Sequence, residues 1–197
     1  MKKYLITVLF LASSLMSSAQ TGKVYLFSYF TGNGEDGLHF VYSRDGLTFT
    51  ALNNGKSFLT PSVGISKLMR DPCIIRTPDG TFHMVWTAGW TERGIGYSSS
   101  KDLVNWTEQK YIKVMEKEPS ARNCWAEGPS SIKIDDMWFV YFDKYMEKKM
   151  GAIISKDLRT WKDISDKVIF PDGVKHGTIF EADDKILQNL LNNGQIR

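Results

Sequence analysis

Apolar residues in this chain recur in short runs rich in aromatic and β-branched side chains, with polar turns between them. The aromatic runs cover residues 24–30, 82–87 and 137–142. Each is followed by a shorter run that begins with glycine, at residues 37–42, 94–98 and 151–155. Short runs of this composition, bounded by Gly- and Asp-containing turns, are typical of antiparallel strands. The pattern predicts an all-β chain.

A short motif after each pair of strands occurs three times without gaps. It reads Ser, a basic residue, Asp, Gly or Leu, two variable positions, an aromatic residue, and Thr or Lys. The copies place Asp45, Asp102 and Asp157 at nearly equal intervals along the chain. We predict that each Asp accepts backbone N–H bonds in a turn and that the aromatic residue packs between repeats. These aspartates are therefore not catalytic candidates.

A period of about 56 residues with four strands in each repeat is typical of a β-propeller blade. The repeats cover residues 23–55, 70–112 and 127–165. The first repeat lacks an innermost strand, and we predict that residues 176–180 supply it and close the ring. Residues 181–192 carry apolar side chains at helical spacing and predict a C-terminal helix. The predicted fold is thus a β-propeller of about three blades with one short helix.

Composition and charge narrow the classes of function. The 197 residues are 42% hydrophobic and 24% charged, which excludes a disordered or low-complexity chain. The formal net charge is +3, and no basic run suggests a nucleic-acid surface. We therefore expect no nucleic-acid partner.

The start of the chain, residues 1–19, has the organisation of a secretory signal peptide. Lys2 and Lys3 precede an apolar stretch at residues 4–15, which is too short for a stable membrane anchor. Small residues up to Ala19 fit a cleavage site. We predict export to the periplasm or the exterior, no membrane anchor, and a single domain over residues 20–197.

The cysteines and histidines do not form a zinc signature. Cys73 and Cys124 are either two buried free thiols or a disulfide, since separation in sequence does not decide their geometry. Two Cys and three scattered His lack the spacing of zinc ligands. We expect no required cofactor.

Two carboxylates precede the innermost strands of the second and third repeats. Asp71 and Glu127 are one repeat apart, so both are expected at one mouth of the propeller. An Asp and a Glu that face a shared cleft can divide general base and general acid work. Alternatively, they cap turns or pair with Arg70 and Lys133.

The order of four short motifs resembles family 43 of the glycoside hydrolases. The motifs are Arg70-Asp71-Pro72, Asn123-Cys124-Trp125-Ala126, Ala126-Glu127-Gly128-Pro129 and His176-Gly177-Thr178. That family contains inverting arabinanases, arabinofuranosidases and xylosidases with five-bladed propellers. The resemblance implies that Asp71 is the general base, Glu127 the general acid and His176 a channel residue. Such a histidine often joins a metal or water cluster in the family, so a channel metal ion is a further expectation.

The chain departs from this family in length. Five blades of about 56 residues need about 280 residues, whereas the chain without its signal peptide has about 178. The sequence passes from Trp125-Ala126 directly to the acid motif, as if about two blades were omitted. The Asp that tunes the pKa of the acid in the family would lie in the omitted part. Apolar blade flanks without neighbours would then favour a homo-oligomer, a strained compact ring or a poorly soluble protein.

Three hypotheses of function follow from these observations. The first is inverting hydrolysis of arabinose- or xylose-containing plant glycans, with Arg70, Trp90, Trp125 and His176 as substrate-binding residues. The second is a noncatalytic carbohydrate-binding protein that has lost the pKa-tuning Asp. The third, a sialidase-like propeller, ranks last because only one copy of the turn motif has that family's glycine and no suitable set of three arginines is apparent.

Overall fold

A computed structural model describes residues 22–193 of the chain, and the predicted signal peptide lies outside these residues. It contains twelve strands in three four-stranded antiparallel sheets, followed by one α-helix. The strands are β1 (Val24–Tyr29), β2 (His39–Ser43), β3 (Thr50–Ala51), β4 (Arg70–Arg76), β5 (Phe82–Thr87), β6 (Ile95–Ser100), β7 (Lys110–Ile112), β8 (Ser131–Ile134), β9 (Met137–Lys144), β10 (Lys149–Ser155), β11 (Lys162–Asp163) and β12 (Thr178–Ala182). The helix is α1 (Asp184–Asn193).

The three sheets are the blades of a shortened propeller, as the repeats predicted. The first blade has the order β12-β1-β2-β3, so its innermost strand comes from the end of the described chain. The second blade is β4-β5-β6-β7, and the third is β8-β9-β10-β11. The predicted fold class is confirmed.

The closing strand β12 runs antiparallel to β1. Its register pairs Val24 with Ala182 and Ser28 with Thr178. The strand therefore begins and ends slightly later than the predicted range 176–180. Where strand pairing ends, Asp183 accepts a hydrogen bond from the Ile186 backbone N–H at 2.9 Å, as a helix N-cap does. The helix consequently starts at Asp184, whereas the sequence predicted residue 181.

The repeated motif forms the same turn in all three blades. Asp45, Asp102 and Asp157 each accept backbone N–H bonds from the residues two and three positions later, at 2.7–2.9 Å. The predicted structural role of these aspartates is confirmed. Backbone N–H groups of Thr160 and Arg159 lower the pKa of Asp157 to about 2, because they stabilise the charged carboxylate.

The first blade lies between the other two and is buried on both faces. Along β1, Val24 and Leu26 face a core shared with the second blade and α1, whereas Tyr25 and Phe27 face a core shared with the third blade. Alternate side chains of a strand point to opposite faces, so β1 contributes side chains to both cores. The outer flanks of the second and third blades have no neighbouring blade within residues 22–193. The end of the chain thus supplies the missing strand, as predicted, but the prediction that it closes the ring is wrong for the described blades.

The aromatic residues of the repeated motif differ in burial according to whether their blade has a neighbour. Phe49 is buried and stacks on Phe170 with ring centroids 4.1 Å apart. Trp106 is half-buried against the core of the second blade. Trp161 is exposed, so the prediction that it packs between repeats is wrong. The third blade stands at one end of the row of three described blades, and no further described blade covers this side chain.

One end of the propeller collects the loops that carry the candidate residues. At this end, Arg70 at the start of β4 pairs with Thr87 at the end of β5, and Thr178 at the start of β12 pairs with Ser28 on β1. The hairpins that follow β1, β5 and β9 open at the same end. We call this end the mouth. Within residues 22–193, no helix is long and apolar enough to cross a membrane.

Candidate functional site

Asp71 lies in a strained position at the start of β4. Its φ is 50°, in the left-handed region that residues other than glycine adopt uncommonly and at a cost in conformational energy. The ladder to β5 shifts register between Arg70 and Cys73, so Asp71 sits in a bulge that redirects its side chain. Pro72 follows where no ladder N–H is needed. Its carbonyl oxygen accepts hydrogen bonds from the Ser28 hydroxyl at 2.9 Å and the Thr178 hydroxyl at 3.1 Å, and these hold the bulge against the first blade.

The Asp71 carboxyl is buried among polar and charged groups. Burial raises the pKa of Asp71, and the negative charge of Glu127 acts in the same direction. A hydrogen bond with the Thr87 side chain and the positive charges of His176 and Arg70 oppose this rise but do not cancel it. The predicted site residues on β4, in the Glu127 segment and before β12 are thus close enough for their charges to act on Asp71.

The segment that carries Glu127 is fixed between the second blade and β12. The Ala126 backbone N–H donates to the Thr87 hydroxyl oxygen at 2.8 Å, and the Ser130 hydroxyl donates to the Gly177 carbonyl at 3.0 Å. A Cβ at Gly128 would lie 1.9 Å from the Thr178 hydroxyl oxygen, so the backbone approach requires glycine. The Glu127 side chain itself is exposed, and no protein group within residues 22–193 forms a hydrogen bond with its carboxylate.

Arg70 belongs to an aromatic and polar cluster beside Asp71. Its guanidinium lies 4.1 Å from the ring centroid of Trp90 and 4.8 Å from that of Phe30. Asn33 Oδ1 accepts hydrogen bonds from Arg70 Nη1 at 3.0 Å and from Trp90 Nε1 at 2.9 Å. In the described chain Arg70 forms no ion pair with Asp71, so this one of the pairings left open by the sequence is wrong.

Two tryptophans present open aromatic surface at the mouth. Trp90 and Trp125 meet edge to face with ring centroids 6.3 Å apart, and each is 51% exposed. Amphipathic aromatic rings next to a few fixed polar groups are typical of small-molecule sites. The two tryptophans that the sequence proposed for sugar contact therefore lie together.

His176 has a carboxylate partner that the sequence analysis missed. Its Nε2 lies 3.3 Å from Oδ2 of Asp143, whose side chain is only 9% exposed. Asp143 comes near the end of β9, after the apolar run at residues 137–142. The sequence shows only an acidic residue directly after the aromatic run, and nothing in it indicates the burial of this carboxylate or its contact with His176. Asp143 brings a carboxylate from the third blade to the mouth.

Comparison with known proteins places the chain in a family. A family model for glycosyl hydrolase 43-related proteins, described as a probable glycosyl hydrolase domain, matches residues 21–128, more than half of the chain. The chain belongs to this family. No curated protein matches it.

Several solved glycosidase structures show a distant likeness to this family member. A proposed glycosidase from Bacteroides thetaiotaomicron has 21% identity and a TM-score of 0.39, over 78% of this chain and 50% of its own. A glycosyl hydrolase from Bacteroides ovatus has 20% identity and a TM-score of 0.36, over 76% and 48%. An α-L-arabinofuranosidase from Clostridium thermocellum has 16% identity and a TM-score of 0.35, over 78% and 46%. The chain spans about half the length of these proteins.

The described part of this family member offers no built metal site or disulfide. Among residues 22–193 no group of three or more His, Cys, Asp and Glu side chains is arranged to hold a metal ion. His176 Nε2 lies 3.3 Å from an Asp143 oxygen, and the channel metal that the resemblance implied stays a prediction. Cys73 and Cys124 are free thiols, and burial raises the pKa of Cys73.

Proposed function

We propose that this member of the glycosyl hydrolase 43-related family is an exported glycosidase that hydrolyses arabinose- or xylose-containing plant glycans with inversion. The observation that supports it best is the buried Asp71 carboxyl in a strained bulge, within the field of Glu127 from the segment that leads into the third blade. Backbone strain and a shifted carboxyl pKa tend to occur together at functional sites. The family membership supports the reaction class.

In the proposed reaction, Asp71 is the general base and Glu127 the general acid. Asp71 takes a proton from the water that attacks the anomeric carbon, while Glu127 gives its proton to the departing glycosidic oxygen. A base with a pKa raised by burial accepts a proton more readily near neutral pH. In inverting enzymes the two carboxyls are separated by about 6.5–9.5 Å, which leaves room for the water. Asp71 belongs to the second blade and Glu127 to the segment that leads into the third blade, which suits a pair of carboxyls that must be separated by a water molecule.

The cluster around Arg70 is the proposed substrate-binding surface. Trp90 and Trp125 would pack against sugar rings, and Arg70 would donate hydrogen bonds to sugar hydroxyls. Asn33 holds both Arg70 and Trp90, so these groups are oriented before the substrate arrives. His176, placed by Asp143, would contact the sugar nearest to Asp71. The proposed reaction needs no cofactor.

The test compares two leaving groups in the wild-type protein and three variants. We expect Asp71→Asn to lower kcat/KM by about 10²–10⁴-fold on both a p-nitrophenyl pentoside and an unactivated pentose disaccharide. Glu127→Gln should lose activity mainly on the disaccharide, because p-nitrophenolate leaves without protonation. Asp45→Asn, which changes a turn aspartate far from the mouth, is the matched control. Wild-type hydrolysis that neither Asp71→Asn nor Glu127→Gln reduces would exclude these roles.

A second candidate is noncatalytic carbohydrate binding. It is favoured by the exposed Glu127 side chain, which lacks the protein hydrogen bonds that hold a general acid in place within the described residues. This alternative requires glycan affinity without turnover, and Trp90→Ala should remove that affinity. Release of reducing sugar by the wild-type protein would exclude it.

A further inference from the structure

We infer that the mouth has a second sugar-binding region on the third blade, so that the ligand is an oligosaccharide bound across the carboxylates. This inference rests on the proposed function and extends it to the length of the substrate. The region is a cavity of about 700 Å³, within the range of small-molecule sites. We call it the third-blade cavity. Its lining is Asp143, Tyr145, Met146, Lys148 and residues 172–175.

The third-blade cavity lies at the same end of the propeller as Asp71. Its first wall is the hairpin between β9 and β10, which follows a second strand of a blade just as the Trp90 loop does. Its second wall is the segment that leads into β12. Asp143 belongs to the lining and contacts His176, whose charge in turn acts on Asp71. Asp143 thus links the cavity to the histidine whose charge acts on Asp71.

A second connection runs over the surface through Lys175. This residue lines the cavity, and its ammonium donates to the Gly32 carbonyl at 2.6 Å. The same ammonium lies 5.7 Å from the ring centroid of Phe30, which also contacts Arg70. The Trp90 cluster and the third-blade cavity are therefore neighbours across Phe30.

The lining of the cavity suits a neutral polyhydroxylated ligand. Tyr145 and Met146 are 76% and 89% exposed, so they present apolar surface that nothing in the described chain covers. Asp143 and Asp172 offer acceptors, and Lys148 and Lys175 offer donors. Two acidic and two basic groups balance in charge, which favours neither an anion nor a cation. A sugar has apolar ring faces and hydroxyls that use both kinds of partner.

The remaining charges of the hairpin are already paired with each other. Glu147 forms ion pairs with Lys144 and with Lys149, the latter at 2.8 Å. Lys148 adopts φ 54° at the turn and lines the cavity. The pairing leaves Tyr145, Met146 and Lys148 as the side chains of the hairpin that face a ligand. A chain bound there and at Trp90 would extend across Phe30, beside Arg70 and Asp71, so we expect attack on an internal linkage.

Calorimetry with xylose and arabinose oligosaccharides of one to six units tests this inference. Asp71→Asn serves as the parent protein, so that hydrolysis does not interfere. We expect affinity to rise at least tenfold from the monosaccharide to the tetrasaccharide. Adding Tyr145→Ala should weaken tetrasaccharide binding about tenfold, about 1.4 kcal/mol, and leave monosaccharide binding unchanged. Trp161→Ala, which removes an exposed aromatic side chain of the same blade, is the matched control.

The outcomes separate this inference from the proposed function. Equal affinity for all lengths, or a tetrasaccharide affinity that Tyr145→Ala leaves unchanged, overturns the second region while the proposed reaction stands. Length-dependent binding by a wild-type protein without turnover supports the second region and refutes the proposed hydrolysis. Absence of binding to every length refutes both.

Discussion

Completion of the first blade by β12 makes the end of the chain essential for the fold. Ile179 tests this point because its side chain is almost fully buried in the core between the first and third blades. Its backbone N–H also donates to the Pro129 carbonyl at 3.3 Å, close to the Glu127 segment. The substitution Ile179→Ala keeps the backbone and removes the packing.

The expected loss of stability follows from the burial of this side chain. Replacement of a buried Ile by Ala costs about 2–5 kcal/mol, through lost transfer free energy and the cavity that remains. In a domain of this size each kcal/mol lowers Tm by about 2–4 °C. We therefore expect Tm to fall by about 4–20 °C. Deletion of residues 174–197 should leave a poorly folded protein, because β1 would lose its whole pairing with β12.

Thermal unfolding followed by circular dichroism measures both changes. The matched control is Glu181→Ala on the same strand, since this side chain is exposed and its ion pair with Lys23 at 3.0 Å is exposed as well. We expect the control to change Tm by no more than a few degrees. A deletion variant with unchanged Tm, or an Ile179→Ala variant as stable as the control, would refute the role of β12 in completing the first blade.

Two further changes test the site and the packing. Burial raises the pKa of Asp71 in the folded state, so the folded protein holds this proton to higher pH and loses stability as pH rises through the interval between the unfolded and folded pKa values. We expect the gain in Tm of Asp71→Asn over wild type to be larger at pH 7 than at pH 3, and a gain independent of pH would contradict this. Gly96→Ala would place a Cβ 1.9 Å from the buried Trp86 ring, so denaturant titration should give a loss of about 1–3 kcal/mol. Lys110→Ala on the neighbouring strand should stay within about 0.5 kcal/mol, and equal losses would count against overpacking.

The sequence predicted the blades because their signals are local. The alternation of apolar residues, the turn residues and the repeated Ser-x-Asp motif each depend on residues only a few positions apart. Asp45, Asp102 and Asp157 accordingly form the expected turns. The period of the repeats then aligned Asp71 with Glu127. The family resemblance added Arg70 and His176 to the predicted site, and the structure places both near enough for their charges to act on Asp71.

Other features of the site depend on contacts between distant segments. The contact between Asp143 and His176 joins β9 to the entry of β12, and no pattern within β9 indicates it. The strained φ of Asp71 depends on Ser28 and Thr178, which hold Pro72 from the first blade. Trp161 and Phe49 occupy the same position of the repeated motif, yet Trp161 is exposed and Phe49 is buried. Such differences follow from which neighbour each blade has.

The amino-acid sequence alone determined the all-β class, the three repeats and the two carboxylates one period apart. These properties arise from interactions between residues close along the chain, which repeat whenever the local pattern repeats. Only the tertiary structure decided that the first blade lies in the middle, that Asp71 is buried and strained, and that a cavity opens beside Asp143. Burial and electrostatic fields depend on everything that surrounds a side chain, and for these residues the surroundings come from other blades.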